Sequence, residues 1–221
     1  MAEEEERDGA GAAAETYSTE RPRSRSQRTR LRFLYRGEIL DVEVDRGIFA
    51  SSGLDRGTAL LIENMAIRST DSVLDLGCGW GAIGLAVAKS ASRGRVVLID
   101  VNRRAAYLAR KNLARNGVAN AEVRVGSLFR PIGEERFDVI ASNPPYRAGR
   151  PLIEQLLDQA PDHLRPGGRL IVVGKGSQGI RFYQERLAQR WPGPVEVLAR
   201  GSGYRVIEAR IPRPTEPGRG S

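Results

Sequence analysis

Hydrophobic and charged positions alternate near the start of the chain. The stretches LRFLY at 31–35 and EILDVEV at 38–44 are separated by Arg36-Gly37, and in the second apolar residues alternate with charged ones. Such alternation is typical of a half-buried strand, and the Arg-Gly pair favours a hairpin turn. The segment GTALLIENMAI at 57–67 has the apolar spacing of a helix. The pattern therefore predicts a β-hairpin and a helix ahead of the main body of the domain.

From residue 72 onward, short runs rich in β-branched residues alternate with helical stretches. The predicted strands are SVLDL (72–76), RVVLID (95–100), AEVRV (121–125), FDVIAS (137–142) and RLIVVG (169–174). The predicted helices lie near 82–91, 103–116, 150–164 and 177–190. This alternation indicates an α/β protein with a parallel sheet and helices on both faces. Two final strands, 194–200 and 204–211, flank Gly201-Ser202-Gly203, which predicts a hairpin and an antiparallel last strand.

The two ends of the chain differ in composition from the middle. Residues 1–20 are rich in Glu, Ala and Gly, and residues 21–30 read RPRSRSQRTR. Neither segment has apolar periodicity, so 1–30 and likewise 212–221 are expected to be disordered tails. The expected domain is then 31–211, in which 31–70 supply the N-terminal hairpin and helix. The arginine-rich half of the first tail is either an arm for RNA phosphates or a solvated tail.

Composition excludes several kinds of protein. No stretch approaches the roughly 18 apolar residues of a membrane span, and the acidic start MAEEEERDGA differs from a secretory signal. The chain has one cysteine, Cys78, and one histidine, His163. A disulfide within the chain and a cysteine or histidine metal cluster are therefore excluded. We expect no metal cofactor, no membrane partner and a reducing cytoplasm as the compartment.

The charge of the chain favours a polyanionic partner. Lys and Arg total 35 against 27 Asp and Glu, which gives a net charge of +8. Arginine makes up nearly all of the cations, so genome composition or adaptation to heat is an alternative explanation. Four cations follow predicted strand ends or begin helices, namely Arg147, Arg150, Lys175 and Arg181. They are expected either to rim a pocket and meet phosphates or to form a solvated basic face.

A glycine-rich turn follows the first of the parallel strands. Residues 73–84 read VLDLGCGWGAIG, in which Asp75 lies at the end of the strand and a helix follows the glycines. Glycines permit a tight turn that a ligand can touch, and the helix N-terminus favours an anion. Asp100 ends the second strand, where a carboxylate can hydrogen-bond the two hydroxyls of a ribose. The pattern predicts a nucleotide-like cofactor at this edge of the sheet.

Two cofactors fit the glycine-rich turn. Gly79, Gly81 and Gly84 match the G-x-G-x-x-G of dinucleotide-binding proteins, which alone is a weak signal. Asp75 with Gly77, Gly79 and Gly81 instead forms D-x-G-x-G-x-G, which resembles the first motif of S-adenosylmethionine-dependent methyltransferases. An acidic residue at the opening of the loop would repel a pyrophosphate but can engage the methionine ammonium. S-adenosylmethionine is therefore the favoured cofactor.

A second motif, Ser-Asn-Pro-Pro-Tyr at 142–146, directly follows a predicted strand. Ligands bind at the carboxyl ends of strands in open α/β sheets. Because two prolines stiffen the backbone, the Asn143 side chain and the Pro144 carbonyl are predicted to be fixed acceptors for an amino group. Tyr146 offers a flat face for stacking a base. Acceptors on the N–H bonds would orient the nitrogen lone pair toward a sulfonium methyl group.

The two motifs together resemble those of the class I amino-methyltransferases. In that group NPPY is shared by enzymes that methylate adenine N6, cytosine N4, guanine N2 and protein glutamine. The segments 47–63, 100–112, 142–149 and 203–207 resemble the "small" methyltransferase domain of the 16S ribosomal RNA guanine-N2 methyltransferases and their single-domain archaeal relatives. The resemblance spans 31–211 and implies a Rossmann-like methyltransferase sheet of seven strands, mostly parallel, with an antiparallel last strand.

The resemblance also implies a role for each matching residue. The methionine end of S-adenosylmethionine would lie on the loop formed by Asp75, Gly77, Cys78, Gly79 and Gly81. The ribose and adenine would lie against Asp100, Val101, Asn102, Ser127 and Leu128. The target amine would be held by Asn143, Pro144 and Tyr146, with Asn143 also beside the cofactor. Asp55 and Thr58 would close the pocket from the N-terminal side.

Departures from the family pattern keep more than one substrate open. Ser127 stands where many relatives have aspartate, and Tyr146 stands where many guanine enzymes have phenylalanine. The first hypothesis is transfer to guanine N2 of ribosomal RNA, with adenine N6 of RNA and protein glutamine as alternatives. Because these 221 residues hold no second, degenerate copy of the domain, RNA recognition is expected from the domain surface, the arginine-rich arm or a partner. A nicotinamide oxidoreductase and a non-catalytic RNA-binding module are less favoured.

Overall fold

The computed structural model describes residue 20, residues 25–45 and residues 53–213. Within them the strands are β1 (Arg28–Tyr35), β2 (Glu38–Asp45), β3 (Ser72–Leu76), β4 (Arg95–Asp100), β5 (Ala121–Val125), β6 (Phe137–Ser142), β7 (Leu164–Lys175), β8 (Val195–Gly201) and β9 (Tyr204–Arg210). The helices are α1 (Arg56–Asn64), α2 (Ala82–Ser90), α3 (Arg103–Arg115), α4 (Arg150–Gln159) and α5 (Ile180–Arg190). Most of the two predicted tails and residues 46–52 lie outside the described residues.

Seven strands form one sheet in the order β5-β4-β3-β6-β7-β9-β8. The five strands from β5 to β7 pair in parallel, whereas β9 runs antiparallel to both of its neighbours. This confirms the predicted Rossmann-like sheet with an antiparallel last strand. The strand order reverses next to β3, so the loops after β3 and β6 lie on either side of a crevice at the carboxyl edge, where ligands bind in this class of sheet.

The central strands are buried on both faces, because each face is covered by helices. Alternate residues of β4 therefore enter different hydrophobic clusters: Leu98 packs with α2 and α3, and Val97 and Ile99 pack on the side of α4 and α5. This is why the strands appear in the sequence as continuous apolar runs. Among the described residues, no helix has the length and apolar content needed to cross a membrane.

The hairpin of β1 and β2 is fastened to α3 by asparagine amides. Asn112 is fully buried, and its amide accepts from the Glu43 N–H at 2.8 Å and donates to the carbonyls of Glu43 and Trp80, both at 2.9 Å. Trp80 belongs to the glycine-rich turn, so this single side chain links the hairpin, α3 and the turn. The Glu43 carboxylate accepts from Arg115 and Lys111, which lower its pKa to about 2.

Several element boundaries differ from those predicted. The first strand begins at Arg28 rather than at 31, because Arg28 to Arg30 continue the ladder with Glu43 to Asp45. Helix α4 ends at Gln159 instead of 164, since Pro161 lacks the N–H that a continued helix needs, and a short 3-10 turn follows. Strand β7 then starts at Leu164 and crosses the glycine pair before 169 with a shift in register.

Gly84 lets α2 pack closely on β4, and we expect Gly84→Ala to destabilise the fold. A Cβ at this position would lie 2.3 Å from Leu98 Cδ2 and 2.5 Å from its Cγ, in a fully buried region. Overpacking of this kind costs about 1–3 kcal/mol, against a gain of about 1 kcal/mol from helix propensity. Urea unfolding of Gly84→Ala, Leu98→Ala and the double variant tests this. If the close approach is the cause, Gly84→Ala ceases to destabilise in the Leu98→Ala background.

Candidate active site

A cavity of about 330 Å³ opens at the carboxyl edge of the sheet. The loops after β3, β4, β5 and β6 form its walls, and α4 closes one side. The predicted site residues that line it are Gly77, Gly79, Asp100, Val101, Ser127, Leu128, Asn143, Pro144 and Tyr146. Residues from four loops, separated by up to about a third of the chain, are therefore brought together at one edge.

The glycine-rich turn is folded over the end of β4. The N–H groups of Gly77 and Cys78 both donate to the Ile99 carbonyl at 2.9 Å. Gly77 and Gly79 have φ values of +77° and +57°, the left-handed region that favours glycine. A Cβ at either position would meet no atom within 4 Å, so the backbone of the turn is open to a ligand. Cys78 itself is buried, and burial raises the pKa of its thiol, which indicates a packing role.

The Asp100 carboxylate connects the turn to the next helix. One oxygen accepts from the Gly79 N–H and the other from the Asn102 N–H, both at 2.8 Å. Burial raises the pKa of Asp100 to about 6, and these two hydrogen bonds oppose that effect. Asp100 also lines the cavity, so its remaining lone pairs can accept from hydroxyl groups of a ligand.

Four residues predicted to contact the cofactor, the buried Cys78 among them, do not line the main cavity. Asn102 is 1% exposed, and its side chain caps α3 by accepting from Arg104 and Ala105. Gly81 begins α2 in the left-handed conformation and faces Ala109, so it shapes the turn. Asp75 lies beneath the turn, fully buried, as described next.

Asp75 is a buried carboxylate with one satisfied oxygen. Its Oδ2 accepts from the Gly84 N–H at 2.8 Å, which ties the end of β3 to the first turn of α2. Among the described residues, no hydrogen-bond donor reaches Oδ1. Burial raises the pKa of Asp75 to about 7, and the negative charge of Asp100 adds to the shift.

The orientation of the Asn143 amide is set by α1. Asp55 is the N-cap of α1 and accepts from Thr58 Oγ1, so the proton of the threonine hydroxyl is already committed. Asn143 Nδ2 lies 2.9 Å from Thr58 Oγ1 and 3.2 Å from Asp55 Oδ2. Both neighbours act as acceptors, so only the NH₂ end of the amide fits there. The Asn143 Oδ1 is left as an acceptor at the wall of the cavity.

The two prolines after Asn143 set the position of Tyr146. Pro145 has φ −75° and ψ +75°, and the Tyr146 N–H donates to the Pro144 carbonyl at 2.9 Å, which is an inverse γ-turn. This bond uses one of the two lone pairs on the Pro144 oxygen. The Tyr146 hydroxyl donates to the Val173 carbonyl at 2.9 Å, and burial raises its pKa. The ring is thus fixed at both ends beside the cavity.

Some residues of the site were not predicted as such. Gly174 leaves room for the Tyr146 ring, since a Cβ at this position would lie 2.3 Å from the Tyr146 hydroxyl oxygen and 2.6 Å from a ring carbon. Gln178 and Leu152 line the cavity, and no sequence pattern marks them. Tyr204 also lines it and belongs to the segment 203–207 that carried part of the family resemblance. His163 lies outside the cavity and stacks on Phe129 at 4.4 Å, so its role is structural.

Comparison with known proteins places this arrangement among methyltransferases. The model of the methyltransferase small domain family matches residues 40–208. The chain is 31% identical over 180 residues to the uncharacterized protein YbxB of Bacillus subtilis, covering 80% of this chain and 89% of that protein. It is 38% identical over 168 residues to ribosomal RNA small subunit methyltransferase C of Ectopseudomonas mendocina, covering 74% of this chain and 49% of the relative. The chain therefore spans about half the length of that enzyme.

A solved structure has the same fold. It is the T. thermophilus 16S rRNA N2 G1207 methyltransferase in complex with AdoMet and guanosine. The TM-score is 0.74 with 24% sequence identity, and the match covers 86% of this chain and 52% of the other.

The raised pKa of Asp75 predicts that cofactor-free protein loses stability as the pH rises from 5 to 8. The folded-state pKa of about 7 exceeds the ordinary value of 3.8, so the folded state holds the proton more tightly and its ionisation is a cost. Linkage gives a fall of about 2–3 kcal/mol in the free energy of unfolding over this range. In Asp75→Asn the part due to Asp75 should disappear, whereas the smaller fall due to Asp100, whose pKa is raised to about 6, should remain between about pH 5 and 6. Chemical unfolding at several pH values measures it, and an unchanged slope would contradict the assignment to Asp75.

Proposed function

The chain belongs to the methyltransferase small domain family and is an S-adenosylmethionine-dependent methyltransferase, and we propose that it methylates an exocyclic amino nitrogen of RNA. Guanine N2 of ribosomal RNA is the proposed target. The observation that carries the proposal is the forced orientation of Asn143, a residue of the cavity wall whose amide oxygen is left as an acceptor. A side chain that presents an acceptor at this place suits a substrate with N–H bonds to donate.

The residues around the cavity fit the cofactor in their donor and acceptor types. Bound S-adenosylmethionine supplies an electrophilic methyl group on a sulfonium centre. We infer that Asp100 accepts from its ribose hydroxyls, and that Val101, Ser127 and Leu128 border the adenine. The open backbone of Gly77 and Gly79 would carry the methionine end. Asp75 would attract the methionine ammonium from below the turn, because no donor among the described residues reaches its Oδ1.

The amine would be held by acceptors rather than deprotonated by a strong base. An amino group on a heterocycle shares its lone pair with the ring, which makes it a weak nucleophile. Hydrogen bonds from its two N–H groups to Asn143 Oδ1 and the free lone pair of the Pro144 carbonyl would increase electron density on nitrogen and aim the lone pair at the methyl group. Tyr146 would stack on the base and hold its plane.

RNA is supported as the substrate class by charge and by relatives. The net charge of +8 favours a polyanion, and Arg147 lies at the wall of the cavity itself. The relative from Ectopseudomonas mendocina is named as a ribosomal RNA methyltransferase, and the T. thermophilus structure holds guanosine together with AdoMet. These proteins are about twice as long as the matched part of this chain, so the same substrate is a proposal here.

The orientation of Asn143 predicts a graded series of activity losses. Asn143→Ala removes the acceptor, and we expect kcat to fall by about 100-fold or more. Thr58→Val removes the closest partner of Asn143 Nδ2 and should lower kcat by about 10- to 100-fold through misorientation. Thr58→Ser keeps the hydroxyl and should stay near wild type. Steady-state methyl transfer at saturating substrate measures kcat, and the thermal unfolding temperature of each variant is the control for the fold. Full turnover by Thr58→Val would contradict the positioning role.

The substrate is tested by methyl transfer from labelled S-adenosylmethionine. Unmodified small ribosomal subunits, naked ribosomal RNA, transfer RNA and total protein are offered side by side, with Asn143→Ala as the inactive control. We expect label in ribosomal RNA that is recovered as N2-methylguanosine. Label in N6-methyladenosine, in transfer RNA or in protein would keep the amine chemistry and overturn the proposed target. Absence of label from every RNA would overturn RNA as the substrate class.

A further inference from the structure

We propose that Arg150 and Phe182, stacked on each other at the mouth of the cavity, bind the base of a nucleotide that neighbours the target in single-stranded RNA. We call this pair the mouth platform. The inference rests on the proposed function for its substrate class, and it adds a second base-binding site outside the cavity. Its function would be to hold the RNA strand while the target amine is inside.

Phe182 is a large aromatic side chain that the fold does not bury. It is 40% exposed near the start of α5. The Arg150 Cζ lies 4.1 Å from the centre of the Phe182 ring, so the flat guanidinium covers part of one ring face. Arg150 is itself exposed at the first position of α4. A planar cation on an exposed aromatic ring offers both a stacking surface and a positive charge.

A chain of aromatic contacts connects the mouth platform to the proposed amine site. The ring centres of Phe182 and Tyr183 are 5.3 Å apart, and those of Tyr183 and Tyr146 are 5.9 Å apart. Tyr146 lines the cavity, as do Ala148 and Leu152, which lie on either side of Arg150 in the sequence. The mouth platform is therefore immediately outside the cavity, within reach of the nucleotide next to one whose base has entered.

The charge around the mouth platform complements an RNA backbone. The rim cations are Arg147, Arg150, Lys175 and Arg181, all exposed. In the described part of the chain the ion pair found for this group is Arg150 with Glu154, at the long distance of 3.9 Å. Exposed cations without close acidic partners attract phosphates, and flat side chains between them take the bases. A protein partner would offer no comparable match to alternating planar and anionic groups.

The other large exposed hydrophobic side chains do not compete for this role. Leu34 and Ile39 face each other across the hairpin of β1 and β2, and Tyr107 lies on α3. None of the three lines the cavity. Aliphatic side chains also lack a flat face for stacking. Within residues 25–45 and 53–213, the mouth platform is therefore the exposed aromatic feature that is coupled to the proposed site.

Binding of two fluorescent probes tests the mouth platform directly. The probes are oligoadenylate and an abasic oligonucleotide of the same length and charge, each titrated with protein and followed by fluorescence anisotropy at fixed salt. We expect the wild type to bind oligoadenylate more tightly than the abasic probe. In Phe182→Ala this preference should fall by about 5- to 10-fold, because one stacked base is lost. Phe182→Tyr keeps a ring and should retain the preference, and Arg150→Gln should weaken the binding of both probes.

Arg190→Gln is the matched control, because Arg190 is an exposed cation at the far end of the same helix. It should leave the preference for oligoadenylate unchanged. An equal preference in the wild type and Phe182→Ala would overturn the mouth platform. The thermal unfolding temperature of each variant checks that the fold is retained.

Methyl transfer by the same variants separates the two proposals. If RNA is labelled and Phe182→Ala raises the KM for RNA at unchanged kcat, both proposals stand. If RNA is labelled but neither KM nor the preference for bases depends on Phe182, the mouth platform fails and the proposed function stands. If the preference depends on Phe182 while label enters only protein, the proposed function fails and the base-binding site stands.

Discussion

Two carboxylates hold the loop on which the rest of the site depends. Asp100 accepts from the turn after β3 and from the start of α3, and Asp75 accepts from the first turn of α2. Asp75 is fully buried and Asp100 is half-buried at the cavity wall, and burial raises the pKa of both. A glycine-rich turn has little side-chain packing of its own, so backbone hydrogen bonds to fixed acceptors give it a single conformation. Burial of these acids is unfavourable in free energy, but their hydrogen bonds keep the glycine-rich turn ordered.

The same use of buried polar groups recurs farther from the loop. Asn112 joins the hairpin, α3 and the turn through one amide, and Asn143 joins β6 to α1 through another. The Asn112 amide forms hydrogen bonds through both its oxygen and its NH₂ group, and the NH₂ group of Asn143 faces two acceptors. In both cases the hydrogen bonds determine the orientation of the amide. The hairpin and α1 are thereby integral to the site, although the seven-stranded sheet is complete without them.

Most of the fold could be predicted from the sequence, because its signals are local. Strands are marked by β-branched runs, and turns by the glycines after β3 and by Gly201-Ser202-Gly203. Each of these signals lies in residues that are adjacent in the sequence. Asp100 and Asn143 could be placed at one edge because each lies at the carboxyl end of a predicted parallel strand. The orientation of Asn143 could not be predicted, since its partners precede it by 85 and 88 residues. The Arg150–Phe182 stack was missed for the same reason. Asn102 was placed beside the adenine by the family resemblance, and the structure adds that its side chain caps α3.

The attachment of Asn143 to α1 divides the site between the sheet and the segment that precedes it. The parallel sheet carries the loops that line the cavity, whereas the proposed amine acceptor takes its orientation from Asp55 and Thr58, outside the sheet. On the proposed function, a change at Asp55 or Thr58 alters how the amine is held while the glycine-rich turn remains untouched. The residues that orient the acceptor therefore lie apart from the motif by which the cofactor loop is found.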